Sequence, residues 1–224
     1  MPLRKRIHTT VSDTFPVQNT KRASQARRAI AAEAARIMST QSLFSYRSAK
    51  QKAAERLGIN LRATMPSNAE VEDALRAYQG FYGGQQHVHH LQEMRVAASI
   101  VMRSLESFYP RLVGPVLEGT ADAYARVTLH VFSDPPDAVV IHLLDIGQAF
   151  SNEQRKIRWH DGNFRQVQLL ITNVRDIEVE LTLFDCIDLR QAPPSPVDGR
   201  PQRRAPLAEV ESLLAESQRD STGI

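Results

Sequence analysis

The chain has 224 residues and a formal net charge of +3; 42% of its residues are hydrophobic and 24% are charged. This composition is typical of a globular protein with one sizeable domain, or of a core domain with a helical extension. No apolar run approaches the roughly 18 to 20 residues of a membrane span, so we expect no association with membranes. The single cysteine, Cys186, excludes an internal disulfide and favours a cytoplasmic protein with a reduced thiol.

Positive charge is concentrated near the N-terminus. Residues 1–36 contain eight Lys or Arg residues against two acidic residues, Asp13 and Glu33. The chain totals are 28 basic and 25 acidic residues, so residues 37–224 carry 20 and 23, a net charge of −3. We predict that residues 1–28 form a basic flexible arm. Three interpretations of the arm stay open: a solvated tail, a contact to the phosphate backbone of a nucleic acid, and an organellar transit peptide.

The segment before residue 109 has the patterns of helices, and we predict a helical region over residues 29–108. Ser45 is a candidate N-cap for one of its helices, and Gly58 is the residue expected just beyond the end of that helix. An earlier helix is predicted within residues 21–40. Its apolar face consists of Ala26, Ile30, Ala34 and Ile37.

Two further helices complete this region. Ser67 and Glu70 have the spacing of a capping box, and we expect Gly80 to end the helix that they begin. A long helix is expected from about His89 to Ser107. Its buried stripe consists of Leu91, Met94, Ala98, Val101, Met102 and Leu105.

After Pro110 the patterns become those of a sheet. The segments "GPVLEG" and "RVTLHVF" are predicted strands, separated by a glycine turn. A helix is expected between Pro136 and Gly147, since proline favours the first turn of a helix and glycine follows its end. Asp161 and Gly162 predict a hairpin turn, because an Asp-Gly pair between alternating segments is a strong hairpin signal.

The last strand and the C-terminal segment follow. "RDIEVELTLFD" alternates apolar and polar residues, so Val179 and Glu180 should lie on opposite faces of the sheet. A Pro-rich loop and a short helix are expected within residues 191–224. We expect this loop to pack back on the body and to place at least one arginine beside the candidate site.

The chain is thus predicted to be α+β, with a helical N-terminal half and a small mixed sheet with flanking helices in residues 109–190.

This order of elements resembles the nucleotidyltransferase fold of the DNA polymerase β superfamily. "KAAERLG", "PSNAEVEDAL" and "SPVDGRPQRRA" also resemble an uncharacterised bacterial family associated with that superfamily. The resemblance implies a glycine–hydroxyl turn at Gly119 and Thr120, which together with the next strand would bind a nucleotide. It places Thr128 and His130 where the superfamily carries its paired metal-binding acids, and Glu180 at the third acid, as the candidate catalytic residue.

The departures from that superfamily concern the metal ligands. Nucleotidyl transfer depends on divalent cations held by carboxylates, and magnesium prefers oxygen ligands. A threonine hydroxyl is a poor substitute for a carboxylate, and the imidazole of His130 suits zinc or nickel better than magnesium. The resemblance therefore implies no cofactor, with magnesium only in an active enzyme, and assigns no metal ligand.

Other reactive side chains form no recognisable motif. His87, His89 and His90 are close in sequence but lack the H-E-x-x-H pattern of a zinc site, and we interpret them as polar residues near a helix start. Cys186 has no nucleophile signature around it. The sequence also lacks a P-loop and a G-x-S-x-G motif.

Three functions are compatible with these patterns. The first is a nucleotidyltransferase-like binding or regulatory module, non-catalytic or altered, with a nucleotide as its ligand. The second is an active nucleotidyltransferase with replaced metal ligands. The third is an accessory protein that binds nucleic acid through the basic arm.

Overall fold

The computed structural model describes residues 15–41, 45–59 and 65–222. Residues 1–14, which hold Arg4, Lys5 and Arg6 of the predicted arm, lie outside the described residues. The described chain is α+β, with a helical N-terminal half followed by a mixed five-stranded sheet, as the sequence predicts. None of the described helices combines the length and the apolar character needed to cross a membrane.

The described residues form seven α-helices, five strands and two short 3-10 helices. The helices are α1 (Phe15–Gln41), α2 (Tyr46–Leu57), α3 (Asn68–Tyr82), α4 (Gly84–Ser104), α5 (Pro115–Glu118), α6 (Asp137–Asp145) and α7 (Leu207–Thr222). The strands are β1 (Arg111–Val113), β2 (Val127–Phe132), β3 (Phe150–Arg158), β4 (Phe164–Val174) and β5 (Ile177–Phe184). The 3-10 helices are Glu106–Phe108 and Cys186–Arg190.

Helices α1, α2 and α3 pack around their own apolar core. Small alanine side chains allow the helix backbones to approach closely. The core residues are Ile30, Ala31, Ala34, Ala35, Ile37, Met38, Ala49, Ala53, Ala54, Val71 and Leu75. The predicted boundary of the arm at residue 28 is wrong, because α1 begins at Phe15. Residues 17–28 contain neither proline nor glycine, so no helix breaker separates them from the alanine-rich segment.

The helix ends follow the predicted caps in most places. Ser45 accepts a hydrogen bond from the Ser48 backbone N–H, and Ser67 and Glu70 form the complete capping box. Gly80 does not end α3, which continues to Tyr82 with Gly83 at its C-cap. An exposed glycine inside a helix costs only about 1 kcal/mol relative to alanine, so it does not force a stop.

The sheet has the strand order β1-β2-β5-β4-β3. Strands β2 and β5 are parallel, and the other neighbours are antiparallel. The hairpin between β3 and β4 turns at Asp161 and Gly162, as predicted.

The prediction of a strand at "GPVLEG" is wrong, because this segment forms the single turn α5. Gly114 has a φ of 71°, and Pro115 at the first helical position has the φ that a helix requires.

The two faces of the sheet are covered differently. Val127, Leu129 and Val131 of β2 face the stripe of α4 predicted from the sequence, together with Val210 of α7. The opposite face carries a smaller apolar cluster. Its residues are Phe132, Trp159, Val167, Leu169 and Phe184, with Cys186 and Leu189 of the second 3-10 helix packed against them.

The Pro-rich loop after β5 is packed on the body of the protein, as predicted. Ala205 exchanges two backbone hydrogen bonds of 2.9 Å with Leu112 of β1. The side chain of Asn68 donates to the carbonyl of Pro196, at 2.7 Å. The loop therefore contacts both the edge of the sheet and the N-terminal helices.

Candidate ligand-binding site

The structure brings Thr128, His130 and Glu180 onto one face of the sheet. Thr128 and His130 are two residues apart on β2, and Thr128 lies directly beside Glu180 of β5 in the parallel register. Gly119 lies instead next to Leu91 and Arg95 of α4, the helix that covers the opposite face. The glycine turn therefore does not converge with the three strand residues, contrary to expectation.

The glycine turn also uses its backbone donors internally. Gly119 has a φ of 80° and ends α5, and its N–H donates to the carbonyl of Pro115. The N–H of Thr120 donates to the same carbonyl at 2.9 Å. Because both N–H groups are engaged within the turn, they are not free to bind a phosphate.

The side chain of Thr120 belongs to a buried polar network. Its hydroxyl donates to Glu72 Oε1 at 2.7 Å, and the hydroxyl of Tyr46 donates to Glu72 Oε2. Gln79 Nε2 donates to the carbonyl of Thr120 at 3.0 Å. Burial, and then the hydrogen bond to Glu72, raise the pKa of Tyr46. The network joins α2 and α3 to the segment that leads into β2.

A cavity of about 410 Å³ lies beside this network, between α3, the segment 114–125 and the Pro-rich loop. Glu72, Gln79 and Thr120 form its polar floor, and each is more than nine-tenths buried. Gln79 Oε1 is buried and has no hydrogen-bond partner among the described residues. Most buried polar atoms are hydrogen-bonded, so this acceptor is an exception among the described residues.

The rim of the cavity carries both signs of charge. Arg76 and Arg200 are exposed. Arg76 lies 3.7 Å from Asp73, and Arg200 lies 3.7 Å from Asp198. That separation is longer than a hydrogen bond, so these guanidinium groups keep N–H donors for another anion. Arg203 is 3.7 Å from Glu118 and also bonds Glu209. Met38 and Leu75 add apolar wall.

Glu180, the candidate catalytic residue, is engaged in an ion pair. Both its oxygens accept hydrogen bonds of 2.8 Å from the guanidinium of Arg155. The side chain of Glu180 is 5% exposed, whereas that of Arg155 is 49% exposed. This bidentate geometry explains why a carboxylate is buried in the sheet, and Glu180 does not line the cavity.

His130 is a neutral packed residue. Its Nδ1 accepts a hydrogen bond of 3.0 Å from Arg204 Nε, and its ring lies 4.7 Å from that of Phe184. Burial, and then the charge of Arg204, lower the pKa of His130 to about 3. The predicted contact between an arginine of the Pro-rich loop and the candidate residues is therefore confirmed at Arg204.

The remaining reactive side chains do not assemble. The described part of the chain contains no group of three or more His, Cys, Asp or Glu side chains arranged to hold a metal ion. His87 lies 3.3 Å from the carbonyl of Gly119, and His89 and His90 lie near Glu93 in α4. Burial raises the pKa of Cys186, the opposite of what an activated nucleophile requires.

Sequence reasoning missed Glu72 and Gln79. The signal for both was in α3. Gln79 follows Val71 and Leu75 at four-residue intervals, and Glu72 lies three residues before Leu75 on the same side of the helix. A polar residue in register with the apolar positions of a helix is buried with them and needs polar partners.

Comparisons with family models, curated proteins and solved structures gave no match to this chain.

Proposed function

We propose that this chain is a non-catalytic, nucleotidyltransferase-like module that binds a nucleotide in the cavity beside Thr120. The observation that carries the proposal is the buried Oε1 of Gln79 in the floor of that cavity, which no donor among the described residues satisfies. An amino group of a nucleobase supplies the donor that this oxygen lacks. Pockets of about 300–1,000 Å³ with a few fixed polar groups are typical of small-molecule sites, and this cavity falls in that range.

Four carboxylates and three guanidinium groups line the cavity, and the two exposed arginines at its rim are the groups that support a ligand with an anionic end. Arg76 and Arg200 lie at the rim and have N–H groups that can donate hydrogen bonds, whereas Glu72 lies in the floor. A nucleotide fits this arrangement when its phosphate lies at the rim and its base donates a hydrogen bond at the floor. The apolar side chains of Met38 and Leu75 suit the faces of the ring.

Glu180 and His130, which the resemblance places at metal-binding or catalytic positions, give little support to a catalytic function. Glu180 is paired with Arg155, and His130 is hydrogen-bonded to Arg204. Neither lines the cavity. A binding or regulatory role that needs no metal fits this arrangement better than the alternative of an active transferase with replaced ligands.

We further propose that the protein acts in the cytoplasm, where Cys186 stays reduced.

The test is calorimetric titration of ATP, GTP, CTP and UTP, with and without Mg²⁺, into three proteins: wild type, Gln79→Leu and Gln51→Leu. Gln79→Leu removes the floor acceptor and should weaken binding about tenfold, the effect of roughly 1.4 kcal/mol. Gln51 is exposed on α2, so Gln51→Leu is the matched control. Wild type that binds none of the four nucleotides, or Gln79→Leu that binds as tightly as wild type, contradicts the proposal. Magnesium-dependent nucleotide transfer that Glu180→Ala abolishes would favour the active enzyme.

A second candidate function rests on the surface of α1. Lys21, Arg22, Arg27 and Arg28 are exposed there, and residues 15–32 contain no acidic residue. Such a surface suits the phosphate backbone of a nucleic acid. This supports the accessory-protein alternative independently of the cavity.

A further inference from the structure

Strand β3 (Phe150–Arg158) forms one edge of the sheet. It pairs with β4 on one side, and in the part of the chain that the structure describes it has no strand on the other side. Residues 151–156 are all exposed. An edge strand offers a row of backbone N–H and C=O groups that can pair with another strand. No residue of β3 lines the cavity beside Thr120, so a partner here is independent of the proposed nucleotide.

The hairpin shows which backbone groups of β3 point to the free edge. The N–H of Trp159 donates to the carbonyl of Asn163 at 2.7 Å, so the backbone groups of Trp159 point towards β4. Backbone groups alternate in direction along a strand, and the register with β4 is unbroken back to Phe150. The even-numbered residues of β3 therefore point their N–H and C=O groups outward. These residues are Phe150, Asn152, Gln154, Lys156 and Arg158.

This edge lacks the backbone features that usually prevent pairing. Residues 150–158 contain neither proline nor glycine, and the ladder with β4 has no bulge. Charged side chains also protect an edge when they repel an incoming strand. Here the charges have both signs, since Glu153 lies two residues before Arg155 on the same face of the strand. An antiparallel strand of the same sequence can therefore be complementary to β3.

One antiparallel register of two copies of β3 matches these charges. When Gln154 lies opposite Gln154 of a second copy, Glu153 faces Arg155 in both halves of the interface. Lys156 then faces the uncharged Asn152. Opposite charges across a pair of strands are favourable, and like charges are unfavourable. A two-fold axis at Glu153 or at Arg155 would set that residue against itself, so both neighbouring registers bring like charges together.

We propose that two copies of this chain form a dimer through β3, in the antiparallel register centred on Gln154, with one sheet continuous across both copies. Even-numbered residues face even-numbered residues in this register, so the outward backbone groups of the two copies meet. Arg155 gives Glu180 one hydrogen bond from each of its two terminal nitrogens, and its side chain is 49% exposed. Its remaining N–H groups can donate to Glu153 of the second copy.

Analytical ultracentrifugation of the full chain, from micromolar to millimolar concentration, tests the dimer. We expect a monomer–dimer equilibrium for wild type. Glu153→Lys sets a like charge against Arg155 in both halves of the interface and should raise the dissociation constant about tenfold. Glu55→Lys, the same change at an exposed position of α2, should leave the dissociation constant unchanged. A wild type that stays monomeric at every concentration, or equal dissociation constants for the two variants, would overturn the proposal.

Cross-linking tests the register, in a chain whose native thiol is removed by Cys186→Ser. Gln154→Cys places two thiols at the two-fold axis, with Cα atoms about 5.5 Å apart, within the range of a disulfide. Lys156→Cys places the Cα atoms about 14 Å apart, too far for a disulfide. We expect mild oxidation to cross-link the first variant and not the second. Equal cross-linking of the two variants, including none in either, contradicts the register and with it the proposal.

Discussion

The hydroxyl of Thr120 donates to the carboxylate of Glu72 at 2.7 Å, across 48 residues of sequence. Both side chains are buried, and they belong to different parts of the fold. Glu72 is on α3, in the N-terminal helical region, whereas Thr120 lies between α5 and β2. A charged group is stable in such a position only when its oxygens are hydrogen-bonded, and Tyr46 satisfies the second oxygen. This hydrogen bond therefore couples the helical region to the sheet and fixes the floor of the cavity.

Replacing Thr120 tests that coupling. Thr120→Val keeps the shape of the side chain and leaves Glu72 Oε1 buried without its donor. We expect the free energy of unfolding to fall by about 1–3 kcal/mol, the cost of an unsatisfied buried group. Urea denaturation measures it. Thr40→Val, the same change at an exposed position of α1, should stay within about 0.5 kcal/mol of wild type. Equal effects of the two variants would show that the network contributes no stability.

Much of the fold can be predicted from periodicity and caps. Ser67, Glu70 and Gly58 mark helix ends, and Asp161 with Gly162 marks the hairpin, because each acts through local backbone geometry. The segment after Gly114 is wrongly predicted as a strand. Four residues are too few to show a helical period, so the apolar residues beside Pro115 outweigh the helix signal of the proline.

The candidate site can be predicted only in part. Thr120 stands out in the sequence for its place in a glycine turn, and it does line the cavity, but through its side chain and its carbonyl. Its partners Glu72 and Gln79 lie more than 40 residues away in sequence, and no local pattern brings such positions together. Glu180 and His130 stand out only by resemblance. Arg155 and Arg204, to which they are bonded, come from an edge strand and a distant loop.

The ion pair of Glu180 gives a second prediction. Arg155→Gln leaves the carboxylate buried without its partner, and we expect the free energy of unfolding to fall by about 1–2 kcal/mol, moderated because Arg155 is half exposed to solvent. Adding Glu180→Gln removes the buried charge and should restore part of that stability. Urea denaturation of both variants measures this.

The exposed pair Arg126–Glu178, at the start of the same strand, is the matched control. Arg126→Gln should cost less than about 1 kcal/mol, since solvent screens exposed pairs. A double variant no more stable than Arg155→Gln alone would contradict a structural ion pair and return Glu180 to consideration as a functional acid.

The basic surface of α1 gives a third prediction. The triple variant Lys21→Gln, Arg22→Gln, Arg28→Gln should keep the fold, because the three side chains are exposed. Any binding of nucleic acid through this surface should weaken. The slope of log K against log salt should become shallower by about 0.9 for each duplex phosphate that the variant no longer neutralises. Fluorescence anisotropy with labelled DNA at several salt concentrations measures both quantities.

The control for that surface removes the same charge elsewhere. Lys156, Arg158 and Arg190 are exposed near β3 and the second 3-10 helix, and their change to glutamine lowers the net charge equally. If both triple variants reduce the salt slope alike, binding follows overall charge, and α1 is not the surface that binds nucleic acid.

His130 should make stability depend on pH. Its pKa is lowered from 6.5 to about 3 in the folded protein, first by burial and then by Arg204. Below about pH 6.5, His130 therefore binds a proton in the unfolded chain but stays unprotonated in the folded protein. The free energy of unfolding should fall by up to about 1.4 kcal/mol per pH unit between these values, and this contribution is fully present above pH 6.5. His130→Gln keeps an acceptor for Arg204 but cannot be protonated, so its urea denaturation at neutral pH and near pH 5 should show a smaller fall than wild type. Identical falls in the two proteins would mean that protonation of His130 does not oppose folding.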